Sequence, residues 1–353
     1  MKQINPWHES GLSLIELMIA LLIGSILMLG VVQVFSASRA AYQLSEGMSR
    51  TQENARFALD YLQRDVRMAG HFGCVNDQAR RQIAGALTSH FVANGPMDFG
   101  FSVRGYDNAS PPGVVLAPAR VAGTDSLVLR FMSGNGIPIT GIDAAAGTVD
   151  VDPAKWNVLT DSGVAAPTVF GVADCAFADV FAATAINAGA GRVTLPATVD
   201  LARYGASPEG GPTMLYRGEA VVYYIGLGAG GRPSLWRARI NTDGSTTAEE
   251  LVEGIEDLQF RYGLDRNPAT NPAGYILTQA AAGGVGASEA EWRRVGQVQV
   301  ALLAVSPNPA ASAQAQAANA PTLFGVVAAT PADGRYRVAY ESSIALRNRL
   351  YGN

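Results

Sequence analysis

The chain has 353 residues, of which 48% are hydrophobic and 16% are charged. Its 26 basic and 30 acidic residues give a formal net charge of −4 at pH 7. This balance provides no basic surface for a phosphate backbone, so we expect no nucleic-acid partner. The two cysteines and three histidines lack the spacing of a structural metal site, so we expect no bound metal.

A long apolar segment begins close to the N-terminus. Residues 12–35 are apolar except for a few polar side chains and two glycines. As a helix this segment spans about 36 Å, enough to cross a hydrocarbon core of about 30 Å. Glu16 lies inside it, and an ionisable residue in a spanning helix is by default a functional candidate. The sequence therefore predicts a membrane-spanning helix with one carboxylate that needs a partner.

The start of this segment carries a specific motif, Gly11-Leu12-Ser13-Leu14-Ile15-Glu16-Leu17. A short leader that ends in glycine, followed by an apolar residue, a small polar one and then glutamate, resembles the processing site of type IV prepilins. The resemblance implies that a prepilin peptidase cleaves between Gly11 and Leu12 and methylates the new amine of Leu12. It also implies that Glu16 pairs with the N-terminal amine of a neighbouring subunit. Such a pair offsets much of the several kcal/mol that burial of a lone charge costs.

Two other interpretations of this segment are open. A secretory signal peptide has an apolar region of about 7–15 residues and a small-residue cleavage site after it. This run is longer, and no such site follows residue 35. A plain membrane anchor is the stronger alternative, in which the chain is a single-span periplasmic sensor or binding protein. A sensor of that kind has no use for cleavage at Gly11.

The helix is predicted to continue beyond the span with an amphipathic pattern. Residues 37–69 contain no proline and one glycine, Gly47. Apolar side chains recur there at helical spacing and form one stripe, made of Ala55, Ala58, Leu59, Leu62, Val66 and Ala69. Gly70 supplies a stop. We therefore predict a leader over residues 1–11, a membrane or filament-core half of the helix over 12–36, and an amphipathic half over 37–69.

Residues 70–353 are predicted to form a β-rich periplasmic head. Short alternating runs occur at 127–131, 258–262, 298–302 and 336–340. The runs 220–225 and 234–240 flank a glycine-rich turn and indicate a hairpin. The segment 307–321 has no periodicity and is expected to be a mobile loop. The predicted fold class is α+β and pilin-like, with a long N-terminal helix packed on a large head of two layers or two subdomains.

The two cysteines fit an exported head. Cys74 and Cys175 both follow the span, on its translocated side. In an oxidising periplasm they can form a disulfide that closes a loop of about 100 residues, worth up to about 4.7 kcal/mol in the chain-entropy model. Two buried free thiols are the alternative. Lys2 and the initiator amine precede the span, so we expect an N-in, C-out orientation in the inner membrane.

Catalytic and cofactor motifs are missing from the sequence. The histidines are His8, His71 and His90, and neither a GxSxG elbow nor an HExxH motif is present. The glycines at 226–231 are followed by a strand pattern instead of the helix that a dinucleotide loop needs, which favours a hairpin turn. The turn at 241–245 lacks the closing glutamate of a calcium loop. We therefore predict no enzyme activity and no cofactor.

The distal part of the chain narrows the family. Segments 251–263, 292–295 and 344–349 resemble PilW-like minor pilins and the related pseudopilins of type II secretion. The resemblance implies a low-copy minor pilin that helps to prime assembly of a type IV pilus. Its implied partners are the prepilin peptidase, other minor pilins, the major pilin and a pilus-tip adhesin, and its implied final location is the tip. A type II secretion minor pseudopilin is the alternative. Residues 75–218 resemble nothing that we can identify.

Overall fold

A computed structural model of the chain describes residues 11–75, 85–206, 213–267, 274–309, 320–329 and 331–349. Helix α1 (Leu14–Met68) has 55 residues and is about 80 Å long. It ends where Gly70 adopts a φ of +75°, a conformation that glycine allows at little cost. A large β-rich head follows. The predicted α+β, pilin-like fold class is therefore confirmed.

The head consists mainly of strands. Within the described residues the strands are β1 (Leu87–Ser89), β2 (Val103–Tyr106), β3 (Ser126–Met132), β4 (Ile137–Asp143), β5 (Thr148–Val151), β6 (Val169–Ala173), β7 (Ala178–Ala182), β8 (Ala185–Asn187), β9 (Arg192–Thr194), β10 (Met214–Leu227), β11 (Pro233–Ile240), β12 (Thr246–Glu253), β13 (Ile255–Asp265), β14 (Ile276–Ala280), β15 (Val295–Pro309), β16 (Thr322–Leu323), β17 (Val326–Val327) and β18 (Arg335–Ala345). Two short helices, α2 (Ala282–Val285) and α3 (Glu289–Trp292), precede β15.

Strand β10 connects the two parts of the larger sheet. Its first half pairs with β6 and β4, and its second half pairs with β3 and β11. The first group continues through β7 to β1 and through β5 and β9 to β8, while the second group ends at β2 and β12. A separate four-stranded sheet has the order β14-β13-β15-β18 and is antiparallel throughout. Strands β16 and β17 form a small hairpin.

The main core lies where α1 meets both sheets. Buried side chains of α1 recur at helical spacing from Gly47 to Val66 and pack against β3, β10, β13 and β15. The predicted stripe forms this contact, with Leu59 at its margin. Gly47 allows close approach to β15, because a Cβ on it would lie 3.3 Å from the Cβ of Ser306. Most helical stability comes from such packing of an amphipathic face.

A second core belongs to an outer lobe, formed by the described residues of 137–206 and 213–215, and its buried side chains form a cluster separate from the helix-facing one. Its buried side chains come from β4, β5, β6, β7 and β9, from Leu159 before β6, from the chain between β9 and β10, and from Leu215 of β10. None of the strands β4–β9 was predicted from the sequence. The four alternating runs and the hairpin of β10 with β11 are confirmed. Most of the expected loop at 307–321 lies outside the described residues.

Candidate functional site

The N-terminal motif forms an exposed, capped helix start. Gly11 and Leu12 precede α1 and are exposed. Ser13 is the N-cap: its Oγ accepts a hydrogen bond from Glu16 N–H at 3.2 Å, and Glu16 Oε2 accepts one from Ser13 N–H at 2.9 Å. This reciprocal pair is a capping box. The S-x-x-E spacing of Ser13 and Glu16 is its signature in the sequence. Among the described residues, Glu16 Oε1 has no hydrogen-bond partner.

The first half of α1 is free of the head. Every residue from 11 to 39 is exposed, and burial against the head begins at Gly47. In the described part of the chain, α1 is the one helix that is long and apolar enough to cross a membrane. An apolar helix surface without partners is costly in water, so this half requires lipid or other helices around it. Such a helix with its prepilin-like motif fits an inner-membrane-anchored pilin.

A buried ionic cluster fixes the second half of α1 to the head. Asp65 lies on the inward face of the helix with 5% of its side chain exposed. Its Oδ2 accepts hydrogen bonds from Tyr223 Oη and Arg237 Nε, both at 2.7 Å. Arg237 also bonds Glu249 at the sheet surface. Burial, and then the carboxylate of Asp65, raise the pKa of Tyr223 well above its usual value, so this phenol stays protonated and donates.

The end of α1 is capped from the far end of the chain. The amide nitrogen of Asn348 donates to the carbonyl oxygens of Arg67, Met68 and Ala69 at 3.0–3.3 Å. These are among the carbonyl groups that a helix terminus leaves without an intrahelical partner. Asn348 therefore ties the closing segment of the head to the helix.

The predicted disulfide between Cys74 and Cys175 is present. Cys74 lies six residues after the end of α1, and Cys175 lies in the turn between β6 and β7, with 4.5 Å between the two Cα atoms. The bond closes a loop with a sequence separation of 101 residues. It therefore links the exit of the helix covalently to the outer lobe.

A buried carboxylate joins the two sheets. Asp125, just before β3, accepts backbone hydrogen bonds from Asn108 and from Phe260 of β13, both at 2.9 Å. Burial raises the pKa of Asp125 to about 6, and the neighbouring carboxylates of Asp107 and Asp257 add to the rise. Each oxygen of the Asp125 carboxylate already accepts a hydrogen bond from a backbone N–H group. The carboxylate therefore holds the two sheets together and does not offer a free ligand for a metal or substrate.

The residues that could have suggested chemistry take structural positions. Gly228, Gly230 and Gly231 lie in the turn between β10 and β11, as predicted, whereas Gly226 is the penultimate residue of β10. Residues 241–245 form the turn between β11 and β12. His90 bonds the buried carboxylate of Asp179, and its other ring nitrogen lies 2.9 Å from the hydroxyl of Thr198. Among the described residues, no group of three or more histidines, cysteines and carboxylates could hold a metal ion.

Two family models match the chain. The prokaryotic N-terminal methylation motif matches residues 8–32, and the type IV pilus-assembly protein W model (PilW) matches residues 222–348. No curated protein and no solved structure matches. The first match covers the capped start of α1. The second covers the four-stranded sheet on α1 and ends at Asn348, and the outer lobe lies outside both.

Proposed function

Because the chain is a PilW-like type IV pilin, we propose that it is a low-copy structural subunit that helps to prime assembly of a type IV pilus. The observation that carries this proposal is the exposed half of α1, residues 11–39, behind a methylation motif. In a membrane this half anchors the protein, and in a filament it packs with the corresponding helices of other subunits. Membership of a pilus-assembly family is consistent with a structural role.

The proposed maturation follows from the motif and from the helix start. A prepilin peptidase cleaves between Gly11 and Leu12 and methylates the amine of Leu12. The Glu16 carboxylate then holds the helix start through Ser13 and pairs, through its second oxygen, with the amine of a neighbouring subunit. The head lies in the periplasm, an orientation that the disulfide supports because such bonds persist in oxidising compartments.

The first test is the mass of the mature protein. The intact mass and N-terminal sequence from native membranes should correspond to a chain that starts at methylated Leu12. Gly11→Ala should leave the unprocessed chain in the membrane, because a side chain replaces the hydrogen at the cleavage site. A normal mature N-terminus in Gly11→Ala, or an intact Met1 in the wild type with the peptidase present, would refute the processing step.

Glu16 can be tested separately in its two roles. Glu16→Gln retains a side-chain oxygen for Ser13 N–H but removes the charge, whereas Ser13→Ala removes half of the capping box and keeps the charge. If amine pairing drives incorporation, Glu16→Gln should be cleaved normally but absent from sheared pili, and Ser13→Ala should be incorporated. Equal incorporation of Glu16→Gln and wild type would remove charge pairing from the mechanism.

Priming and elongation of a pilus affect different quantities, the number of pili and their length. A subunit that nucleates filaments sets how many form, whereas a bulk subunit sets how long they grow. Deletion of the gene should therefore reduce the number of pili per cell while the remaining pili keep their length. Shorter pili at unchanged number would contradict a priming role.

A further inference from the structure

A small pocket opens where strand β10 changes its neighbour. Along one edge of β10, residues 214–217 pair with β6 and residues 221–227 pair with β11, while β3 and β4 occupy the other edge. The residues between these two stretches, 218–220, pair with β3 alone among the described strands. The gap between β6 and β11 forms a pocket of about 210 Å³, lined on one side by the loop 163–168. The pocket therefore lies at the junction of the outer lobe with the rest of the head.

Two arginines line this pocket and keep part of their hydrogen-bonding capacity unused. The Arg217 side chain is 5% exposed, and its Nε donates to Glu219 Oε1 at 2.7 Å. Its Nη1 donates to the carbonyl of Leu159 at 2.8 Å and to the carboxylate of Asp161 at 2.7 Å. Arg239 donates from Nε to the other oxygen of Glu219 at 3.0 Å. Among the described residues, Arg217 Nη2 and both terminal nitrogens of Arg239 have no acceptor, although buried donors are rarely left without one.

The rest of the wall indicates which acceptor would fit. None of the described residues that line the pocket is acidic, and its uncharged polar residues are Thr168, Asn241 and Thr247. The larger apolar residues of the wall are Met97, Val164, Val169 and Ile240. Glu219 and Asp161 lie outside the wall and match the charges of the two arginines one for one. A monoanion adds one uncompensated charge to this site and a dianion adds two, and an uncompensated buried charge is costly. The wall therefore favours a single carboxylate on a small apolar group.

We propose that the pocket binds a small monocarboxylate with a short apolar chain. The carboxylate accepts hydrogen bonds from the free terminal nitrogens of Arg239, in the two-pronged geometry that a guanidinium allows, and from Arg217 Nη2. The chain lies against Val169 and Ile240. At about 30 Å³ for each water-sized group, the volume corresponds to roughly seven non-hydrogen atoms. Nucleotides and organic cofactors are larger than this, and the site does not depend on the proposed role in a pilus.

The test is ligand-observed NMR on the full-length protein in a neutral detergent, in buffer free of other carboxylates and of phosphate. The probe is butyrate, and a ligand of this size should bind saturably with a Kd of about 1 mM. Butyramide has the same shape without the charge and should bind about tenfold more weakly or less, because the hydrogen bonds to the arginines lose their charge assistance. Inorganic phosphate at the same concentration should not displace butyrate.

The first variant removes the arginine fork. Arg239→Gln should weaken butyrate binding about tenfold or more. Glu219 keeps its bond to Arg217 in this variant, so the fold should be retained. Arg192→Gln is the matched control, because Arg192 is an exposed arginine of the outer lobe that bonds Asp150 away from the pocket. Its Kd should equal that of the wild type.

The second variant supplies a competing carboxylate from the protein itself. Thr247 lies directly opposite Arg239 in the pairing of β11 with β12, so their Cβ atoms are about 5 Å apart on one face. Thr247→Glu should pair with Arg239, support the sheet and weaken butyrate binding about tenfold or more. Thr242→Glu adds the same charge in the turn between β11 and β12, outside the wall, and should leave the Kd unchanged.

Four outcomes would overturn the inference. No saturable binding of butyrate well above about 1 mM would mean that water alone satisfies the arginines. Equal binding of butyramide, or displacement by phosphate, would exclude a site for monocarboxylates. An unchanged Kd in both Arg239→Gln and Thr247→Glu would place the binding elsewhere. Equal weakening in Arg192→Gln and Thr242→Glu would show that the affinity follows the net charge of the protein instead of this pocket.

Discussion

The attachment of α1 to the head can be tested through Asp65. In Asp65→Ala the Arg237 guanidinium, 13% exposed, keeps one partner, Glu249, whose side chain is 58% exposed. The Tyr223 hydroxyl, deeply buried, keeps a 3.4 Å contact to the carbonyl of Tyr61. Removal of one partner of a buried ion pair costs about 3–5 kcal/mol. Asp65→Asn keeps an acceptor oxygen but loses the charge, so we expect about 1.5–3 kcal/mol.

The measurement is thermal unfolding of the full-length protein in detergent, followed by tryptophan fluorescence. For a head of this size each kcal/mol lowers the midpoint by roughly 2 °C, so Asp65→Ala should lower it by about 6–10 °C. Arg64→Ala is the matched control, because the Arg64 side chain is 69% exposed and lies 3.5 Å from the same carboxylate. An exposed pair of this kind contributes about 0–1 kcal/mol.

Two results would refute this reasoning. One is an Asp65→Ala midpoint that falls no further than that of Arg64→Ala, which would mean that water reaches the Arg237 guanidinium. The other comes from the double variant Asp65→Leu, Arg237→Met, which removes both charges and should recover much of the loss. A double variant as unstable as the sum of its two single variants would show that the charges do not act as a pair.

Three further predictions concern the head. Cys74→Ser should lower the unfolding midpoint in oxidising buffer by an amount equivalent to roughly 2–5 kcal/mol. In reductant its midpoint should equal that of the wild type. Equal midpoints in oxidising buffer would mean that the disulfide does not stabilise the head. The pKa of Asp125 is about 6 in the folded state, against an ordinary value of 3.8. Between these two pH values the folded state binds more protons than the unfolded state. The free energy of unfolding should therefore fall as the pH rises from about 4 to about 6. Asp125→Asn should flatten that dependence in pH-dependent melts, and an unchanged slope would assign it to other groups. Gly105→Ala should destabilise strongly in the same melts, because a Cβ there would overlap the buried Tyr262 hydroxyl, and a neutral result would mean that the ring moves aside.

The helix and its motif could be predicted because their signals are local. The stripe from Ala55 to Ala69 repeats every three or four residues, and this spacing alone identifies the inward face. Asp65 lies on that face, three residues after Leu62, so its position was readable from the same spacing. Its partners were not, because Tyr223 and Arg237 are 158 and 172 residues away and strand pairing alone brings them to the helix.

The outer lobe could not be predicted for a related reason. Strands β8 and β9 have three residues each, and the pairing of β4 with β5 has a register shift between Ile139 and Gly141. Short strands carry too little alternation to stand out from the surrounding turns. The disulfide was predictable by contrast, because two cysteines that both follow the predicted span allow a single pairing. Asn348 gave no signal, since a capping side chain from a distant segment has no pattern in sequence.

The link between Cys74 and Cys175 also determines how the head would respond to a mechanical load. Tension applied along α1 enters the head through the packed face of the helix and through the residues that follow Met68, and the disulfide passes part of it to the outer lobe. The 101-residue separation corresponds to about 350 Å of extended chain, at roughly 3.5 Å per residue, that cannot lengthen while the bond is intact. In an oxidising compartment the chain between the two cysteines therefore cannot be drawn out, even if its strands come apart under force. After reduction, the same load could draw out a length several times that of the helix.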